Sequence, residues 1–294
     1  MPQGIEPSNL EKVFWPEEGL TKGDLLAYVD AVAPFILPAI RDRPLTVKRY
    51  PDGVKGQAFY QKNTPAYAPS WVKTETIRAE SAGRDVRYTL CNSKRTLMWL
   101  ANQAVIELHP WLSRAGTLHR PDFLVFDVDP PEGAFDRAVQ MALLMKDVLD
   151  EVNLASAAKT SGAKGVHVYV PIPRRYNYGE VRTLAAYLAG RAEERAGGEA
   201  TVEIRRAKRN GRVFLDIGRN AAGAHIVAVY SPRARPAATV SFPVDWKDLP
   251  KVEPGEFTLH TVPGLLKRRG DRWRDLMPRP QYLDRAIKAS RTAQ

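Results

Sequence analysis

The run Leu124-Val-Phe-Asp-Val-Asp-Pro130 constrains this chain more than any other segment. It sets two carboxylates into an apolar stretch with the length of a buried strand, and Pro130 and Pro131 end it. Successive side chains of a strand point to opposite faces, so Asp127 and Asp129 point the same way. Two ionised carboxylates side by side repel unless positive charge lies between them. A second apolar run, Val213-Phe-Leu-Asp-Ile217, carries a third acid, Asp216. An unpaired buried carboxylate costs on the order of several kcal/mol, so the fold must give these acids partners. Oxygen ligands of this kind suit Mg²⁺ or Mn²⁺. A metal pair for phosphoryl transfer needs about this number of carboxylates. The alternatives are aspartates that cap a turn or helix, and a salt bridge from Asp216 to an arginine.

Periodicity supplies the elements around these runs. Thr21 and Asp24 form a capping-box pattern ahead of Leu25, Val29 and Val32, which predicts a helix. Strands are expected at 45–50 and 58–61, with loops flanking weak strands over 71–87. Leu97, Leu100, Ala101, Ala104, Val105 and Leu108 follow helical spacing, which predicts one helix over 93–109 stopped by Pro110. A strand at 124–129 leads to a helix at 135–152, a strand at 166–172 and a helix at 180–195. Strands at 212–217, 226–231 and 239–242 are expected as neighbours in one sheet. After Arg268 a basic, proline-bearing tail should be irregular or form short helices. The class is mixed α and β. No linker-like stretch divides the 294 residues, which reads as a single domain of one or two lobes.

Three further segments carry polar chemistry. Lys159-Thr-Ser-Gly-Ala-Lys-Gly-Val-His167 offers a glycine turn whose N–H groups could face a phosphate, with Ser161, Lys164 and His167 as added donors. A plain β-turn with a solvated lysine fits it equally, and the spacing is not that of a Walker A loop. Arg205-Arg-Ala-Lys-Arg-Asn-Gly-Arg212 carries five basic residues just before the Asp216 strand. Near the N-terminus, Asn9, Lys12 and Lys22 flank Phe14 and Trp15, and Phe59-Tyr60 is another aromatic pair. Such aromatics either stack on bases or fill a core. A net charge of +11 favours a polyanionic partner, nucleic acid or an anionic membrane surface. The single cysteine, Cys91, excludes an intramolecular disulfide framework and fits a reducing cytosol. Residues 1–8 lack an apolar signal core and no run of 18 apolar residues occurs, so neither secretion nor membrane spanning is expected.

Taken together, these segments resemble the polymerase domain of bacterial DNA ligase D, of the archaeo-eukaryotic primase superfamily. The matching stretches are residues 9–16, 59–63, 107–111, 121–130, 160–167 and 230–235. The resemblance implies an α+β primase-like catalytic fold of mostly antiparallel sheets flanked by helices. It implies a 5′-phosphate-binding part over about 1–90, a catalytic core over about 91–250 and a basic tail over about 251–294. By the same resemblance Asp127, Asp129 and Asp216 hold two divalent cations, Mn²⁺ or Mg²⁺. Ser161, Lys164 and His167 contact the incoming triphosphate, and Lys48, His109, Arg219 and Arg233 line its pocket. Asn9, Lys12 and Lys22 bind a 5′-phosphate at a DNA gap or end, Phe59 and Tyr60 stack on template bases, and Arg209 lies near the primer. The family pattern has an aromatic residue after the third aspartate and Gln three residues after it, where this chain has Ile217 and Arg219.

The implied activity is extension and gap filling at DNA double-strand breaks from NTPs or dNTPs, in bacterial non-homologous end joining. Implied partners are 5′-phosphorylated DNA ends, Ku and a separate DNA ligase, without a membrane. The implied location is cytoplasmic, with the nucleoid. Competing readings are a primase that starts chains de novo and a non-catalytic module that bridges DNA ends. No Lys-x-Asp-Gly occurs in the sequence, so a nucleotidyl-lysine of the ligase type is not expected within it.

Overall fold

A computed structural model of the chain describes residues 2–79 and 83–292. Two compact units emerge. One comprises Met1–Ala115, His225–Ser241 and Gly255–Asp271, the other Gly116–Ala224, Phe242–Pro254 and Arg272–Gln294.

The first unit opens with an antiparallel ribbon, β1 (Val13–Trp15) and β2 (Leu20–Thr21). Thr21 then caps α1 (Lys22–Ile40), and both halves of the capping box form: the Asp24 N–H donates to Thr21 Oγ1, and the Thr21 N–H donates to the Asp24 carboxylate at 2.7 Å. β3 (Pro44–Arg49), β4 (Phe59–Gln61), β5 (Thr74–Ala79), β6 (Arg84–Leu90), α2 (Lys94–Asn102) and β7 (Val105–Pro110) follow. The strands form an antiparallel sheet in the order β4-β3-β6-β5, with β7 also pairing with β3. By length and composition alone α1 could cross a membrane, but Leu25, Val29, Val32 and Ile36 are buried in this unit and the helix packs on α2.

In the second unit β8 (Phe123–Asp129), α3 (Phe135–Glu151), β9 (Ala157–Thr160), β10 (Val166–Pro171), α4 (Tyr178–Arg195), β11 (Ala200–Thr201), β12 (Val213–Asp216) and β13 (Pro243–Val244) occur in that order. The sheet runs β11-β12-β8-β10-β9-β13 and is antiparallel except for β11 with β12. Leu124, Val125, Phe126 and Val128 of β8 are wholly buried, and α3 and α4 pack against the sheet and each other. Near the C-terminus, α5 (Thr261–Arg269) returns to the first unit, while α6 (Arg272–Leu276) and α7 (Asp284–Thr292) belong to the second. The architecture is the expected α+β class of antiparallel sheets flanked by helices.

Three local expectations change. Residues 71–87 are more regular than loops flanking weak strands: β5 and β6 pair antiparallel over six residue pairs. The predicted long helix over 93–109 stops at Asn102. Ala104 takes a left-handed φ of 61°, and β7 follows as a fully buried strand. Its residues fit helical spacing and alternation alike, and the open edge of β3 decides between them through a five-residue ladder. Pro110 therefore ends a strand. The segments 226–231 and 239–242 are not strands beside β12. Residues 226–231 and 239–241 lie in the first unit and Phe242 in the second, and among the described residues this stretch makes isolated bridges, Trp111 to His225, Pro232 to Val240 and Thr239 to Thr258. Prolines 232 and 236 remove donors there, and Tyr230 and Ala238 have positive φ, so no continuous ladder forms.

Candidate active site

Antiparallel register brings the three acids together. Asp216 of β12 stands directly opposite Asp127 of β8, and Asp129 shares Asp127's face two residues on. On the other side of β8, His167 is the register partner of Asp127, and Lys159 of β9 is the partner of His167. Asp216, Asp127, His167 and Lys159 thus form one row across four strands. The row is hydrogen-bonded: His167 Nε2 lies 3.3 Å from Asp127 Oδ1, and Lys159 Nζ lies 2.9 Å from His167 Nδ1. An ammonium at Lys159 would donate to Nδ1 and set the imidazole proton on Nε2, facing the carboxylate.

Arg219 closes the other end. Its Nε is 3.2 Å from Asp127 Oδ2 and its terminal nitrogen 3.4 Å from Asp216 Oδ2. The alternative of an arginine partner for Asp216 is thus also realised, alongside the meeting of the acids. Among the described residues no three His, Cys, Asp or Glu side chains are gathered as a ready metal cage, and the guanidinium stands where a cation would.

Electrostatics tests whether a metal fits. Burial works to raise the Asp127 carboxyl, but the charges and hydrogen bonds of His167 and Arg219 outweigh it and hold it well below the usual carboxylate range. Asp129 and Asp216 are both raised, by burial first and by the charge of Asp127, against the pull of Lys164 and Arg219 on one and of Arg219 on the other. All three carboxylates offer hard oxygen donors. The donor set fits divalent cations.

The glycine loop is built by close approach. A Cβ on Gly165 would sit 2.3 Å from the Val128 carbonyl oxygen, so only glycine lets the loop lie against β8. Ser161 Oγ accepts from the Ala163 and Gly165 N–H groups at 3.1 and 3.0 Å. Those groups, and the serine hydroxyl expected to meet a phosphate, thus organise the turn itself. Lys164 reaches across to the Pro130 carbonyl at 2.8 Å and to Asp129 at 3.7 Å. Arg209 also turns inward: its guanidinium lies 3.6 Å over the Phe214 ring and donates to the Glu203 and Ile204 carbonyls. Arg205, Arg206 and Lys208 of the same loop are exposed.

The first unit holds a separate cluster on its sheet. Lys48 of β3 has Tyr60 and Glu107 as its register partners on β4 and β7, and its ammonium lies 5.3 Å from the Tyr60 ring centre. His109 is two residues from Glu107 on the same strand face and donates to it at 3.0 Å. Arg233 pairs with Glu107 at 3.4 Å, and Tyr50 and the Ala234 N–H donate to it as well. Burial raises the Glu107 carboxyl, yet His109 and Arg233 overcome this and hold it down to about 2. His225 joins them, edge-on to His109 at 5.4 Å and tilted against Tyr60 at 6.1 Å. Phe59 and Tyr60 are 44% and 56% exposed, which places them at the surface and not in a core.

Asn9, Lys12 and Lys22 also come together. The Lys12 N–H donates to the Asn9 carbonyl, and the Lys22 N–H to the Lys12 carbonyl at 2.8 Å. Lys22 sits in the first turn of α1, buried, with its ammonium on the Ser8 carbonyl at 2.7 Å. Its pKa is lowered, by burial first and then by Lys12. Two ammoniums beside a helix N-terminus are apt for a phosphate, although Lys12 already meets Asp52 at 2.6 Å.

Sequence reasoning missed Glu107, Lys159 and His225. Glu107 and His109 alternate as a strand pair would, a signal hidden by reading 93–109 as a helix. Lys159 was quoted within its motif, but only the fold reveals that it is fully buried against a histidine.

Residues 21–273 match the family model described as the LigD primase-polymerase domain. The chain is 31% identical over 280 residues to the bifunctional non-homologous end joining protein LigD of Bacillus subtilis, covering 94% of this chain and 45% of that protein. It is 32% identical over 270 residues to the multifunctional non-homologous end joining protein LigD of Mycolicibacterium smegmatis, covering 91% and 35%. The chain therefore spans less than half the length of these relatives. Among solved structures, the polymerase domain of Mycobacterium tuberculosis ligase D in complex with DNA superposes with a TM-score of 0.86 at 31% identity, covering 94% of this chain and 98% of that one.

Proposed function

The chain belongs to the LigD primase-polymerase family, and from that premise we propose that it extends and fills DNA ends and gaps from NTPs or dNTPs in bacterial non-homologous end joining. The observation that carries this reading is the register pairing of Asp216 with Asp127, with Asp129 on the same strand face. The three acids are proposed as ligands of two divalent cations, Mn²⁺ or Mg²⁺. Those cations, when bound, would activate the primer 3′-OH and steady the triphosphate and its leaving pyrophosphate.

The remaining roles belong to the chain's own groups. His167, held by Lys159, orients Asp127 through its Nε2 proton. Lys164, beside Asp129, and Lys48, His109 and Arg233 supply donors and positive charge for a triphosphate, with Ser161 shaping the turn that carries Lys164. Asn9, Lys12 and Lys22 take a 5′-phosphate, and exposed Phe59 and Tyr60 offer faces on which template bases stack. Arg209 braces the basic loop from which Arg205, Arg206 and Lys208 can reach a primer strand. DNA ends, Ku and a ligase activity are the proposed partners, with action on DNA of the cytoplasmic nucleoid. The 1–90, 91–250 and 251–294 parts are proposed as 5′-phosphate-binding, catalytic and basic-tail segments of one functional domain.

The deciding experiment replaces Asp127 and Asp129 together by Ala and measures Mn²⁺-dependent primer extension on a 5′-phosphorylated gap, alongside DNA binding. Extension should vanish while binding persists. Extension that survives the double replacement rejects the reading, and a wild-type chain that binds gaps tightly without incorporating nucleotide points instead to an end-bridging module.

A further inference from the structure

We propose that Arg219 is a resident cation of the carboxylate cluster, which an incoming metal must displace, so that metal loading is weak alone and tightens when a triphosphate can receive the guanidinium. The proposal rests on the polymerase reading for the identity of the ligands, and goes beyond it in coupling metal and nucleotide through one side chain.

Arg219 contacts two of the three acids at once, Asp127 through Nε and Asp216 through a terminal nitrogen. Its base is rigid. The next residue, Asn220, is fully buried; its Oδ1 accepts from the Val125 N–H at 2.9 Å, and its Nδ2 donates to the Val125 carbonyl at 2.6 Å and to the Ile217 carbonyl at 3.0 Å. The Gly218 N–H donates to Asp216 Oδ1 at 2.7 Å. The turn after β12 is thereby stitched to β8 on one side and to the third acid on the other. The Arg219 side chain is 37% exposed, against 12% for Asp127 and 19% for Asp216. A fixed backbone with a partly solvated guanidinium can release the acids by rotating its side chain, without moving a strand.

The charges set the direction of coupling. A divalent cation cannot share Asp127 and Asp216 with a guanidinium without close like-charge repulsion. Once turned outward, the guanidinium needs an anion, and its planar fork suits phosphate oxygens. A triphosphate therefore favours the outward state, and the outward state favours metal. Linkage requires the converse: metal must tighten triphosphate binding by the same factor.

Mn²⁺ binding, followed through the electron paramagnetic resonance of the free ion, tests this without turnover. In the absence of nucleotide, Arg219→Gln should bind Mn²⁺ about tenfold or more tightly than wild type, Arg219→Lys should stay close to wild type, and Asp127→Asn should lose binding. A non-hydrolysable triphosphate should tighten Mn²⁺ binding by wild type more than by Arg219→Gln. Equal Mn²⁺ affinities of wild type and Arg219→Gln without nucleotide overturn the proposal. A measurement on wild type alone guards against a variant that misfolds: the Arg219 Nε–H resonance should shift as Mg²⁺ fills the site, and a signal unmoved at saturating Mg²⁺ overturns the proposal too. Primer extension in the same preparations separates the two readings. Tightening without extension keeps the resident cation and removes the polymerase, whereas extension without tightening does the reverse.

Discussion

Single residues here carry opposite burdens of burial and charge. Lys159 is fully buried, and its Nζ lies 2.9 Å from His167 Nδ1. Replacing it by Met keeps the volume and removes the donor. We expect Lys159→Met to lower stability by about 1–3 kcal/mol and to free the imidazole to carry its proton on either nitrogen, read from the ¹⁵N shifts of the His167 ring; an unchanged shift pattern would show that the lysine does not set it. Glu107 presents the complementary case, a buried carboxylate held at about 2 against 4.5 for the free side chain. Its folded-state pKa lies below its unfolded one, so its ionised form stabilises the fold above about pH 5, and this contribution is lost as pH falls towards about 2. Glu107→Gln should therefore cost about 3 kcal/mol at neutral pH, with the gap to wild type closing in acid, as urea titrations at several pH values would reveal. Both residues were printed in recognisable motifs. What the one-dimensional string lacked was the neighbour that gives each its role.

Elements were legible where one period was unambiguous. Thr21 and Asp24 mark a helix start by chemistry local to four residues, and α1 begins there. The 124–129 run, apolar around two acids, could hardly be anything but a central strand. Residues 104–109 satisfy the helical and the extended pattern alike, and the choice fell to β3, more than fifty residues earlier in the chain. The segment after Gly223 misled for a different reason: its apolar residues are buried as a strand's would be, but prolines and positive-φ residues interrupt the ladder. Between β9 and β10, the turn depends on a missing side chain. Gly165→Ala would drive a methyl into the Val128 carbonyl, and relief by shifting the loop should cost about 1–3 kcal/mol. It should also displace Lys164 from Asp129, so we expect a lower melting temperature together with weaker triphosphate binding by calorimetry. A variant as stable and as tight as wild type would mean that the loop has slack the geometry does not suggest.

For the whole molecule, a net charge of +11 predicts association with a polyanion, and its salt dependence is the quantitative handle. The logarithm of the gap-DNA association constant should fall linearly with the logarithm of salt concentration. Charge reversal at Lys12 and Lys22 should flatten that slope and erase the preference for a 5′-phosphate over a 5′-hydroxyl; an unchanged preference would place the phosphate pocket elsewhere. The amino-acid sequence by itself determined the α+β class, the strand that bears Asp127 and Asp129, the cap of α1, the family resemblance and the net positive charge, because each follows from local chemistry, composition or ordered motifs. Only the tertiary structure decided that β12 pairs with β8 in the register that sets Asp216 against Asp127, that Lys159 completes the row through His167, that Glu107 gathers Tyr50, His109 and Arg233, and that Arg219 stands among the acids. Those contacts join residues distant in sequence, or side chains whose direction depends on which strand lies alongside, and strand pairing is a property of the folded sheet.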